Sequence, residues 1–155
     1  MDVDGVLNTF SYPDPLIHSD YHGFEAGNGF TIMWSPSLLK RITDLHDSGA
    51  VVVKWLTTWQ SLANDHLREK FGFSEELEVV GGECDYMGWG AHWWKLPLAE
   101  EVYNSGARVI WTDDDIPSSS TAREFVEEAN PDRLLAIAPV DCLTHADLDM
   151  IEGWI

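Results

Sequence analysis

Basic residues are scarce in this chain: 9 lysines and arginines stand against 27 aspartates and glutamates in 155 residues, for a formal net charge of −18. A field of that sign repels a nucleic-acid backbone, which disfavours non-specific binding along a duplex. Most of the acidity reads as a solvated surface tuned for solubility, with a minor part left over for metal-binding carboxylates. Cysteine is rarer still. Cys84 and Cys142 lie far apart without CxxC spacing, so neither a disulfide framework nor a zinc site is expected, and both read as thiols in a reducing compartment. Long apolar runs are missing as well. No stretch approaches the roughly 18 apolar residues of a membrane span, and the first residues lack the basic and apolar regions of a secretion signal. A soluble, cytoplasmic protein with no membrane partner is therefore expected. What the chain does have is 45% hydrophobic and 12% aromatic residues, enough to fill one sizeable core. With no internal repeat, low-complexity tract or linker, residues 1–155 read as a single domain.

From Ser35 onward, apolar runs alternate with helical patterns, the signature of a parallel sheet covered by helices. Ser35 can cap a helix with Pro36 in its first turn, Leu38, Leu39, Ile42 and Leu45 on one face, and a stop at Gly49. Ala50 to Leu56 (AVVVKWL) reads as an inner strand and Gln60 to Phe71 as a helix, with Leu77 to Val80 a short strand. A further helix begins near Lys95 and ends before Gly106. Arg108 to Thr112 (RVIWT) and Leu134 to Ala138 (LLAIA) are buried strands flanking a helix from Ser118 to Ala129, and Thr144 caps a last helix. The expected fold is therefore α/β: a three-layer, Rossmann-like parallel sheet of about five strands with helices on both faces.

In open α/β sheets, ligands bind outside the carboxyl ends of the strands. Reading those ends in turn collects Asp2 and Asp4, then Thr57 and Thr58, then Asp113, Asp114 and Asp115, with Lys95 opening the helix that leads into RVIWT. Carboxylates, a hydroxyl and one lysine on a single edge suit a phosphate ester held against Mg²⁺, which takes hard oxygen ligands and commonly only one or two carboxylates. In DVD, side chains at i and i+2 of an extended segment point the same way. One carboxylate can then attack phosphorus while the other moves protons, and Gly5 permits a left-handed turn directly after the pair. Taken singly, each motif has a plainer reading: DxDG as a turn, TT as a helix cap, DDD as a solvated helix start, Lys95 as a surface lysine.

Together, and in this order, DVDGVL, WLTT, WWKLP and WTDDD resemble the four motifs of the haloacid dehalogenase superfamily of phosphohydrolases, with DVDGVLN, WLTTW and WKLP most similar to the domain of that type in "Swiss Army Knife" RNA-repair proteins. The resemblance implies that Asp2 is nucleophile and magnesium ligand, and that Asp4 is general acid/base with its backbone carbonyl on the metal. It implies further that Thr57, or Thr58 in its place, hydrogen-bonds the phosphoryl group and that Lys95 neutralises nucleophile and phosphate. Asp113 would bind Mg²⁺ directly and Asp114 would support it, with Asp115 the alternative to Asp114. The expected activity is a magnesium-dependent phosphomonoesterase acting on nucleotides or nucleic-acid (RNA) phosphate ends. The alternatives are a small-metabolite phosphatase or nucleotidase and a catalytically silent phosphate- or partner-binding module. Such a fold places apolar residues before its first aspartate, and only Met1 stands there; the expectation is a truncated first strand and a physiological start upstream.

Residues 9–34 are too few for a full cap domain. GFEAGNGFTIMW reads as a hairpin around Gly27-Asn28-Gly29, a minimal flap over the site that leaves it open to large substrates. The aromatic loop Tyr86 to Trp94 is placed to stack on a base or to pack helix against sheet. The six histidines show no metal-binding spacing, and only His92 lies near the site motifs.

Overall fold

The computed structural model describes residues 1–10, 20–26, 29–82 and 93–155. In chain order the elements are β1 (His22–Glu25), β2 (Thr31–Trp34), α1 (Pro36–Asp47), α2 (Leu62–His66), α3 (Lys95–Asn104), β3 (Val109–Thr112), α4 (Ser120–Glu128), β4 (Leu134–Ile137) and α5 (His145–Trp154). β1 and β2 pair antiparallel, His22 opposite Trp34 and Glu25 opposite Thr31, as the arms of the hairpin. β3 and β4 pair parallel, Val109 opposite Leu134 and Thr112 opposite Ile137. The hairpin's tip at Gly27 and Asn28, most of the aromatic loop, Cys84, His18 and His92 lie outside the described residues.

The expected five-stranded, three-layer parallel sheet is not what forms. Among the described residues there are two separate two-stranded sheets. The segment from Ala50 to Leu56 makes a single parallel bridge, Trp55 to Val79, and the opening residues make another, Asp4 to Asn8. The physical cause lies between Leu56 and β3. Among the described residues Met1 and Asp2 connect the two there: the Met1 amino group donates to Lys54 O at 3.0 Å and Met1 O accepts from Leu56 N–H at 3.0 Å, while Asp2 N–H donates to Thr112 O at 3.1 Å. Two bonds to one side and one to the other, all made by two residues, start no ladder, because a strand needs a run of alternating partners. Below these two residues lies an apolar cleft of about 500 Å³, lined among others by Ile42, Leu45, Val53, Ile110 and Ile151. In β3, Val109 N–H and Asp113 N–H donate to Arg133 O and Ile137 O; the backbone of Ile110, between them, is turned toward the cleft.

The second difference is the helix expected over Gln60 to Phe71, which shrinks to α2. Gln60 sits at φ +48°, a left-handed conformation no helix interior holds. Asn64 explains what replaces it. Its Oδ1 accepts from Trp55 Nε1 (3.0 Å) and Leu77 N–H (3.0 Å), while its Nδ2 donates to Leu77 O (2.8 Å), tying α2 to two other segments.

The remaining helices follow their local signals. Ser35 and Ser119 accept from the N–H groups of Leu38 and Ala122, and Thr144 with Asp147 forms a capping box at α5. Residues of β3 and β4 alternate between two apolar clusters, as period two requires. Ile110, Leu135 and Ile137 pack with α1 and α5, and Val109, Trp111, Leu134 and Ala136 with α3 and α4. Thr112 also belongs to this interior, but among the described residues its hydroxyl finds no partner, and neither does Trp111 Nε1. A buried hydroxyl without a hydrogen bond costs about 1–3 kcal/mol. The isosteric Thr112→Val is therefore expected to stabilise the protein by about 1 kcal/mol, read as a melting temperature raised by about 2–4 °C.

Candidate active site

The site is built where β3 ends. Its three aspartates follow the strand directly, and Ile116–Ser118 forms a short 3₁₀ turn after them. Asp113 is fully buried and Asp114 half-buried, and the Asp113 carboxylate holds its own turn by accepting from Asp115 N–H at 3.1 Å. The hydrogen bond from Asp2 N–H to Thr112 O brings the opening residues alongside. Val3, Val6 and Leu7, all buried, anchor that stretch in the core. α3 delivers the lysine from a distant part of the sequence. Lys95 is buried, and its Nζ donates to Asp2 Oδ2 at 2.5 Å and to Asp113 Oδ2 at 2.8 Å.

One oxygen each from Asp2, Asp113 and Asp114 lie within 4.8 Å of one another. Three carboxylates against one ammonium leave an excess of negative charge at the site. Burial pushes Asp113 up to about 7, helped by the charge of Asp2 and only partly offset by Lys95. Burial pushes Asp114 up to about 6, with Asp2 and Asp115 adding to it. On Lys95 burial acts downward, but the charges of Asp2 and Asp113 outweigh it and hold the ammonium above its usual range. The hard oxygen donors and the uncompensated charge fit a divalent cation such as Mg²⁺.

Asp4 lies on the same cavity wall but is held differently. Its Oδ2 accepts from Trp59 Nε1 (2.8 Å) and its Oδ1 from Asn8 Nδ2 (2.7 Å). Asn8 in turn accepts from Met33 N–H at 2.8 Å, which fixes the carboxylate to β2. Gly5 has φ +72°, and a Cβ there would collide with the Asp114 carboxylate. It serves both the left-handed turn and the close approach of the two acidic segments. The cavity, about 370 Å³, is lined by Asp2, Asp4, Phe10, Thr58, Trp93, Trp94, Lys95, Asp114 and Asp115.

The structure thus brings Asp2, Asp113 and Asp114 within 4.8 Å of one another, joins Asp2 and Asp113 through Lys95, and sets Asp4 on the same cavity wall. Thr58 is on the cavity wall, whereas Thr57 is buried, with its hydroxyl accepting from Trp59 N–H at 3.3 Å. Trp59 and Asn8, which orient Asp4, were missed by motif reading. Their signal is faint: a buried asparagine in an apolar stretch, and a tryptophan just after the threonine pair. Comparison of the chain with models of protein families, with characterised proteins and with solved structures finds no match.

Proposed function

We propose that the chain is a magnesium-dependent phosphomonoester hydrolase working through an aspartyl-phosphate, of the kind its motifs resemble in the haloacid dehalogenase superfamily. The observation that carries this reading is the buried Lys95 bridging Asp2 and Asp113, with Asp4 held on the same cavity wall. A lysine tolerates such burial only where fixed negative charge holds it, and this one also faces a cavity that an anion can enter.

Asp2, Asp113 and Asp114 are the residues that would hold Mg²⁺, which supplies charge neutralisation and orientation of the phosphoryl group when bound. Asp2 attacks phosphorus, so that an Asp2 oxygen–phosphorus bond forms as the ester bond breaks. Asp4 gives a proton to the leaving oxygen. It then takes a proton from the water that hydrolyses the aspartyl-phosphate, releasing inorganic phosphate and restoring Asp2. Trp59 and Asn8 keep the Asp4 carboxylate in place for both transfers, Lys95 offsets the charge of Asp2 and of the incoming phosphate, and Thr57 or Thr58 donates to a phosphoryl oxygen.

The test is turnover of an aryl phosphate with Mg²⁺ and with chelator. Magnesium-dependent release of phosphate supports the reading. A well-folded protein that binds phosphate but hydrolyses none of a panel of nucleotides, sugar phosphates and phosphorylated oligonucleotides overturns it in favour of a binding module.

A further inference from the structure

The cavity has a charged floor and aromatic walls, and the walls carry information about what stands behind the phosphate. Phe10 is 77% exposed and lines the cavity. Its neighbour Thr9 is buried and donates from its backbone to Met33 O at 3.0 Å. The ring is therefore presented at the cavity from a backbone tied to β2. On another part of the wall is Trp94, half-buried, with Lys95 Nζ 5.9 Å from its ring centroid. Trp93 plays another part, stacking on Trp111 at 5.5 Å and 20° as a member of the core.

We propose that this site takes a phosphate monoester bearing a flat aromatic group, as in a nucleoside monophosphate, with the ring stacked on Phe10 and flanked by Trp94. The inference rests on the hydrolase reading for the placement of the phosphate over Asp2 and Lys95. Every aromatic ring offers a face for such contact, which makes the interaction tolerant of base identity. The net charge of −18 sets the size of the ligand: a single nucleotide places its phosphate on Lys95, whereas a long polyanion meets repulsion across the whole surface.

Binding of adenosine 5′-monophosphate and of ribose 5-phosphate, with Mg²⁺ present, is compared by calorimetry on the Asp2→Asn protein, with and without Phe10→Ala. Phe10 is exposed, so the substitution leaves the fold intact. Stacking of one base is worth roughly 5- to 150-fold in affinity. The nucleotide is expected to bind at least about tenfold tighter than the sugar phosphate, with most of that ratio lost in Phe10→Ala. Equal affinities, a ratio insensitive to Phe10→Ala, or no binding of either ligand overturns the proposal. Turnover is measured separately on the unsubstituted protein. If it hydrolyses neither compound while the binding ratio holds, the hydrolase reading falls and the ligand class stands.

Discussion

Asp2→Asn is expected to lower kcat for magnesium-dependent phosphate release by at least about 10⁴-fold, the scale on which losing a covalent nucleophile acts. An amide oxygen is a poor nucleophile, and two of the neighbouring carboxylates are already engaged. Asp4 is held by Trp59 and Asn8, and Asp113 is buried against Lys95. The substitution keeps the site assembled. The single amide oxygen can replace only one of the two acceptors: turned to Lys95 Nζ it keeps that bond and gives up the one from Val3 N–H, which the carboxylate makes at 2.7 Å, and Lys95 keeps Asp113 as partner. An unchanged circular dichroism spectrum alongside lost turnover is the expected pair of results. Activity within tenfold of the unsubstituted protein would remove Asp2 from the role of nucleophile.

The second large effect concerns stability. Lys95→Met strands the buried carboxylates of Asp2 and Asp113 without their shared cation, and breaking such a pair costs about 3–5 kcal/mol. Adding Asp113→Asn to Lys95→Met should restore much of that loss, because it removes one of the two opposed charges. The cost of Lys95→Met should also depend on pH, being larger at pH 8 than at pH 5, where a proton can substitute for the missing ammonium. The unsubstituted protein in chelator carries the same signature. Asp113 and Asp114 titrate near 7 and 6 in the folded state, against 3.8 as the ordinary value. The folded chain therefore binds these protons more tightly than the unfolded one, and its stability falls as pH rises from about 4 through about 7. Urea unfolding at pH 5 and pH 8 with chelator reads this slope, and Asp113→Asn should flatten it. A slope of opposite sign would contradict the burial of these groups.

The site was more legible in the sequence than the fold. Asp2, Lys95, Asp113 and Asp114 could be grouped because the aspartate triplet ends an apolar run, Lys95 starts a helix and Asp2 is marked by its spacing from Asp4, and the grouping did not require the sheet between them to be continuous. Caps and helix starts such as Ser35, Ser119 and Thr144 are local signals, and α1, α4 and α5 follow them. The sheet is a different matter. AVVVKWL has the composition of an inner strand, but pairing is a property of two neighbours, and composition carries nothing about whether the second is present. The segment therefore keeps Trp55 fully buried and one bridge, while Val52 stands 73% exposed. Gln60 at positive φ and the three-way bonding of Asn64 were equally invisible, since both arise from tertiary contacts that override helix propensity.

The open cleft beside β3 bears on how this protein behaves in concentrated solution. Aliphatic walls facing water attract one another whenever two molecules approach, and that attraction is nearly indifferent to salt. What holds copies apart at neutral pH is the charge of −18, a repulsion that ionic strength screens within about 10 Å at 0.1 M and that vanishes near the isoelectric point of about 4.3. Colloidal stability should therefore be lost first in mild acid and in high salt. Acidification, which relieves the buried carboxylates and strengthens the individual fold, is then the same change that lets the folded molecules cohere.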